Sequence, residues 1–127
     1  QFQKALKLHP DFGEAQKNLA QTYILIGRGD SAVTILTRTA AKTPEDWKVW
    51  ALMAQAQGSI GQDTKARECA DTAIRLAPKY GPNYHLRSSI LMRMGKIKDA
   101  IVDLETALRI NPADVLALTN LSLPLAR

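Results

Sequence analysis

The stretch Gly61–Pro78 reads GQDTKARECADTAIRLAP, and its outline occurs three times. Thirty-four residues earlier, Gly27–Pro44 reads GRGDSAVTILTRTAAKTP; thirty-four later, Gly95–Pro112 reads GKIKDAIVDLETALRINP. Each stretch opens on Gly and closes on Pro, with Ala32, Ala66 or Ala100 five residues after the Gly. Ala73 and Ala107 stand five residues before their Pro, and Thr39 takes that phase in the first stretch. Ala5 and Pro10 carry the phase back toward the start, so Pro10, Pro44, Pro78 and Pro112 are each 34 apart. A repeat at this period settles the architecture before any local reading, because each copy must be one supersecondary unit that buries its apolar face on its neighbours. The 127 residues divide into 12 leading residues, full copies at 13–46, 47–80 and 81–114, and 13 trailing residues.

Within a copy the apolar spacing is helical on both sides of the Gly. Before it, Ala15, Leu19, Ala20 and Tyr23 share one stripe in copy one, and Trp50, Met53 and Ala54 share it in copy two. Copy three offers Tyr84, Arg87, Ser88 and Leu91. After the Gly, helices are expected over Asp30–Ala41, Asp63–Leu76 and Lys98–Ile110, striped by Ala32/Leu36/Ala40, Ala66/Ala70/Ile74 and Ala100/Leu104/Leu108. Gly27, Gly61 and Gly95 are expected to end the first helix in the left-handed conformation. Asp30 and Asp63 are expected to cap the second. The Pro residues push their predecessors extended and end the preceding helix. Pro124 should kink or stop the trailing helix.

Composition agrees. Hydrophobic residues are 46% of the chain but aromatics only 6%, so Ala and Leu do the packing, as closely stacked helices require. No apolar run reaches the roughly 18 residues of a membrane span, and membrane insertion is not expected. One cysteine excludes an intrachain disulfide framework. The chain opens mid-pattern at Gln1-Phe2-Gln3, which reads as a slice of a longer protein.

On Trp50, Met53, Ala54, Gly61, Ala66, Ala73 and Pro78 in copy two, the chain resembles the tetratricopeptide repeat family. Leu19, Ala20, Tyr23, Gly27, Ala32 and Pro44 match in copy one, and Gly95, Ala100, Ala107 and Pro112 in copy three. The rival, the RNA-binding pentatricopeptide array, has period 35 and different punctuation. The resemblance implies an all-α, right-handed superhelical solenoid of antiparallel helix pairs, with the first helix of each pair on the concave side. It also implies a protein-interaction scaffold holding a peptide or partner domain. Residues 1–12 would end a preceding repeat and 115–127 begin a further one.

The stripe opposite the packing stripe of each first helix is the candidate groove. It holds Glu14, Lys17, Asn18, Gln21, Ile24 and Leu25, then Lys48, Ala51, Leu52, Gln55 and Ser59. Pro82, His85, Leu86, Ser89, Met92 and Arg93 follow, then Leu116, Thr119, Asn120 and Leu123. Amides here can pair with a peptide backbone while Leu52, Leu86 and Met92 take apolar anchors. Lys17, Lys48 and Arg93 favour an acidic ligand. Polar residues on an open face also serve solubility whatever binds there. Some family members grip a chaperone carboxyl terminus with a Lys/Asn/Asn/Lys/Arg clamp. Lys17 matches one member of it, but Gln21, Leu52, Pro82 and Leu86 stand where the others belong. A ladder of one Asn per copy is met by Asn18 and Asn120 and not by Leu52 or Leu86.

Arg87 stands where Leu19, Met53 and Leu121 stand in the other copies. Its stem can snorkel, carrying the charge to solvent or to an acidic side chain such as Glu68. Alternatively it forms a buried pairing that sets the angle between copies. No catalytic, metal or cofactor constellation is recognisable, so an enzyme is not expected. His9 and His85 lie in different copies, and Asp63, Asp71, Asp99 and Asp103 fall on helix starts and exposed faces. Cys69 reads as a small apolar residue. The formal charge of +5 is spread over all copies without interleaved aromatics, so no nucleic acid is expected. Two alternatives stay open: self-association through the apolar segment 115–125, and substrate recruitment for a larger enzyme. The compartment is not legible beyond a soluble one, with the cytoplasm the default.

Overall fold

A computed structural model describes the backbone of residues 2–113 and the side chains of residues 13–113. The described residues form six α-helices: α1 (Phe2–Leu25), α2 (Gly29–Lys42), α3 (Trp47–Ser59), α4 (Asp63–Leu76), α5 (Gly81–Arg93) and α6 (Ile97–Ile110). The three second helices begin and end within a residue of the limits expected from the stripe pattern. Each packs against its own first helix, and α2 and α4 also pack against the next one, so the chain builds two layers. In the first layer α1, α3 and α5 lie side by side.

Small residues make the layers close. Ala20, Ala32, Ala54, Ala66, Ser88 and Ala100 are fully buried. Leu36, Val49, Ile90, Leu91 and Leu104 fill the remaining space. Gly27, Gly61 and Gly95 take φ of 82°, 82° and 79°, a backbone region in which a Cβ is strained. The short link from first to second helix depends on them.

Two expectations about helix ends are corrected. Asp30 and Asp63 do not cap: the caps are Arg28 and Gln62, without a side-chain bond, and both Asp lie inside the first turn. There they act on the positive end of the helix dipole. The side chain that does cap is Asp46, which accepts from the Lys48 backbone N–H at 3.1 Å.

The second correction concerns Pro10. The expected helix end there does not form; α1 runs unbroken through Pro10. The other junctions explain why. Trp50 Nε1 donates to the Pro44 carbonyl at 2.8 Å, and Tyr84 Oη donates to the Pro78 carbonyl at 2.7 Å. In copy one this phase belongs to Gln16, so no ring ties a turn at Pro10. A helix gains one bond per residue as it propagates. Pro10 removes one bond, whereas a turn held by nothing would surrender several. The expected kink at Pro124 and the segment 115–125 lie outside the described residues.

Candidate functional site

The first-helix layer carries the candidate groove, and burial sorts its residues by phase. Lys17, Ala51 and His85, one per copy and 34 apart, are 8%, 9% and 8% exposed. All three are buried and so do not stand on the open face, and Lys17 reaches Asp46 at the start of α3. All three stand on the stripe expected to form the groove. A single helical wheel misplaces them because each first helix has two sets of neighbours, its own second helix and the adjoining first helices. Packing therefore covers more of its circumference than one stripe.

The open face is made by the other phases. Gln21, Gln55 and Ser89 form an exposed polar row, one residue from each copy. Asn18 is exposed beside half-buried Leu52 and Leu86 in the next row. Ile24, Leu52 and Leu86 rest on the main buried cluster, so they form an apolar floor with half-buried Met92. Leu25 is exposed at the edge. Asn120 lies outside the described residues.

The cations are largely engaged. Lys17 Nζ donates to Asp46 Oδ2 at 2.8 Å and pairs with Glu14 Oε2 at 2.8 Å. Burial pushes its ammonium pKa down, but the hydrogen bonds to Asp46 and Glu14 outweigh that and leave it above the usual lysine range. The same hydrogen bond and charge of Lys17 lower the Glu14 carboxyl. Arg93 Nε donates to Asp63 Oδ1 at 3.1 Å. To reach Asp63 the guanidinium lies over Gly58, where a Cβ would run into it. Lys48 is exposed, with its Nζ 5.9 Å from the Trp47 ring centroid. Trp47 in turn meets the Tyr80 ring at 4.5 Å.

Arg87 realises the buried pairing and not the snorkel. Its Nε and Nη2 donate to the two carboxylate oxygens of Asp103 at 2.8 and 2.7 Å, and Nη1 donates to Asp71 Oδ1 at 3.0 Å. The partners are on α6 and α4, so one side chain of α5 ties three helices; Glu68 takes no part in this set. Asp103 is 2% exposed, which corrects its placement on a solvated face. The fork of Arg fits the carboxylate in two parallel bonds. Hydrogen bonding to the Asp103 carboxylate is the main cause holding the guanidinium pKa above its ordinary value. Arg87 followed 16 residues later by Asp103 was the available signal, and copies one and two hid it by carrying apolar residues at both places.

Among the described residues no group of three or more His, Cys, Asp and Glu could hold a metal ion, and no helix is long and apolar enough to cross a membrane. Cys69 is buried; burial, then the Glu68 charge, pushes its thiol up to about 11. The thiol form prevails at neutral pH, as its reading as a packing residue requires.

Equivalent helices side by side, with a polar row over an apolar floor, make a repeat-built surface. The chain belongs to the tetratricopeptide repeat family, whose models match residues 1–56, 48–80 and 82–114. Protein FlbA of Caulobacter vibrioides is 29% identical over 100 residues, which are 79% of this chain. The chain spans only 17% of that protein's length. Among solved structures, the second such domain of human RPAP3, in complex with the HSP70 peptide SGPTIEEVD, superposes with a TM-score of 0.79 at 26% identity. That match covers 84% of this chain and 89% of the other. The crystal structure of MamA superposes with a TM-score of 0.81 at 24% identity, covering 96% of this chain and 71% of its own. The MamA likeness shows the fold alone.

Proposed function

We propose that this chain is a protein-interaction scaffold that holds a peptide or a segment of a partner protein on the first-helix layer. The observation that carries the reading is the unbroken row Gln21, Gln55 and Ser89 above Ile24, Leu52, Leu86 and Met92. Solubility alone asks for polar residues; it does not ask for an apolar floor left half open beneath them. Extended concave surfaces of stacked repeats bind chains in this way. The peptide complex of the RPAP3 domain supports the same use of the face here. Asn18, Lys48 and Arg93 would border the ligand, while the buried Lys17 and His85 would support the groove from beneath.

Leu86→Ala with Lys48→Glu should weaken partner capture from the source lysate without lowering helix content by circular dichroism. Capture unchanged by both substitutions would remove the groove from the reading. Two other proposals concern residues outside this face. Self-association would run through 115–125, and recruitment for an enzyme would involve other parts of a larger protein. Sedimentation at several concentrations tests the first: a monomer at all of them rejects it.

A further inference from the structure

We propose that the groove is built for an uncharged, extended peptide segment, and not for an acidic terminus; this rests on the groove reading above and names the partner's chemistry. Three sets of contacts carry it. First, the charges around the face cancel within the protein. Lys17 is neutralised by Asp46 and Glu14, and Arg93 by Asp63. Counting Glu14, Lys17, Asp46, Lys48, Asp63 and Arg93, three cations meet three anions. Among the described residues of the face, an acidic ligand would have to break the Arg93–Asp63 pair or rely on Lys48. Complementarity to a net-neutral surface selects a neutral partner, because an unmatched charge on the ligand loses hydration with nothing to replace it.

Second, the polar row offers amides and a hydroxyl, Gln21, Gln55 and Ser89, with no ammonium or guanidinium among them. Such groups both donate and accept. A peptide backbone presents free N–H and C=O groups only when it is extended, since a helix consumes its own. The row therefore suits an extended strand better than a docked helix. Third, the apolar floor flanks that row on both sides: Leu52 and Leu86 stand three residues before Gln55 and Ser89, and Ile24 and Met92 three residues after Gln21 and Ser89. An extended chain sends successive side chains to opposite sides. The ligand thus carries small or apolar residues at neighbouring positions, one toward each flank.

The test is selection of a random nonapeptide phage library on residues 1–127. A parallel selection uses the Gln21→Ala/Gln55→Ala variant, whose substitutions are both exposed and leave folding intact. Peptides recovered on the parent chain should have net charge near zero and apolar residues at neighbouring positions. Their affinity should change less than about twofold between about 50 and about 500 mM NaCl, where surface charge attraction is screened. It should fall about tenfold on the double variant, as expected for two lost hydrogen bonds. Enrichment of acidic peptides, or affinity that collapses with salt, overturns the neutral-ligand proposal while leaving the groove in use. No enrichment, or binding indifferent to the double variant, overturns the groove reading itself and this proposal with it.

Discussion

Copies two and three fill the same packing slot with opposite chemistry. In copy two the slot holds Met53 and Cys69, both buried and both in the main apolar cluster. Thirty-four residues on, the same two places hold Arg87 and Asp103, joined by two hydrogen bonds. Copy one has Leu19 and Ile35 there, and Leu19 is 43% exposed. The open state of Leu19 has a cause outside the slot. In the later copies the preceding second helix, α2 or α4, covers that side of the first helix, whereas α1 continues straight through residues 2–12. The two residues of the slot change character together, because a buried charge is tolerated only with its counter-charge. Neither residue could be read correctly alone.

The largest effect should come from splitting the ionic pair. Arg87→Met leaves the Asp103 carboxylate buried without its partner, a change that typically costs about 3–5 kcal/mol. Urea denaturation followed by circular dichroism, with hydrogen exchange in α5 and α6, should show that loss concentrated in copy three. Arg87→Met with Asp103→Cys rebuilds the copy-two slot, and should return stability to within about 1 kcal/mol of the parent or above it. A double variant as unstable as the single one would mean that the slots are not interchangeable and that the comparison fails.

The apolar slot has its own signature in pH. The Cys69 thiol is raised from 9.0 to about 11 in the fold, so the folded state holds its proton more tightly than the unfolded chain does. Stability from this group is complete below about pH 9 and declines as pH rises toward 11, where the unfolded thiolate forms first. Cys69→Ala should flatten that decline in an equilibrium melt across pH 8–11. An equally steep decline in the variant would assign it to other groups. The ionic slot contributes nothing to this window, because its arginine stays charged throughout.

The fold was legible because punctuation and stripe repeat in phase. Positive φ at Gly27, Gly61 and Gly95 and the burial of the Ala series follow directly from the 34-residue period. What was not legible depends on neighbours that a single helix cannot report. Lys17 looked like an open groove residue until the start of α3 brought Asp46 to it, and the burial of His85 could not be read from its own helix. Asp103 looked solvated until Arg87 reached it. Pro10 looked like the other repeat prolines, but a proline alone does not end a helix here; Trp50 and Tyr84 hold the later turns and Gln16 does not replace them. Trp50→Phe or Tyr84→Phe should each cost about 1 kcal/mol by removing one ring-to-carbonyl bond. The loss should be read in the same denaturation assay, and no loss in either variant would leave the unbroken α1 without this explanation.

The smallest expected effect separates the two carboxylates that share Arg87. Asp71 is 47% exposed at its side chain, whereas the Asp103 side chain is 4% exposed, and the pair with Asp71 makes one bond instead of two. Water already solvates Asp71 and competes for Arg87, so removing its charge strands nothing. Asp71→Asn should therefore cost less than about 1 kcal/mol, the usual range of an exposed ion pair. Added salt should shrink that difference further, because screening acts on the exposed partner. The cost of Asp103→Asn should instead persist at high salt, since one oxygen of the buried fork is lost where salt does not reach. Equal costs for the two substitutions, or equal sensitivity to salt, would show that Arg87 is shared evenly. The buried half of the network would then not be what distinguishes copy three from copy two.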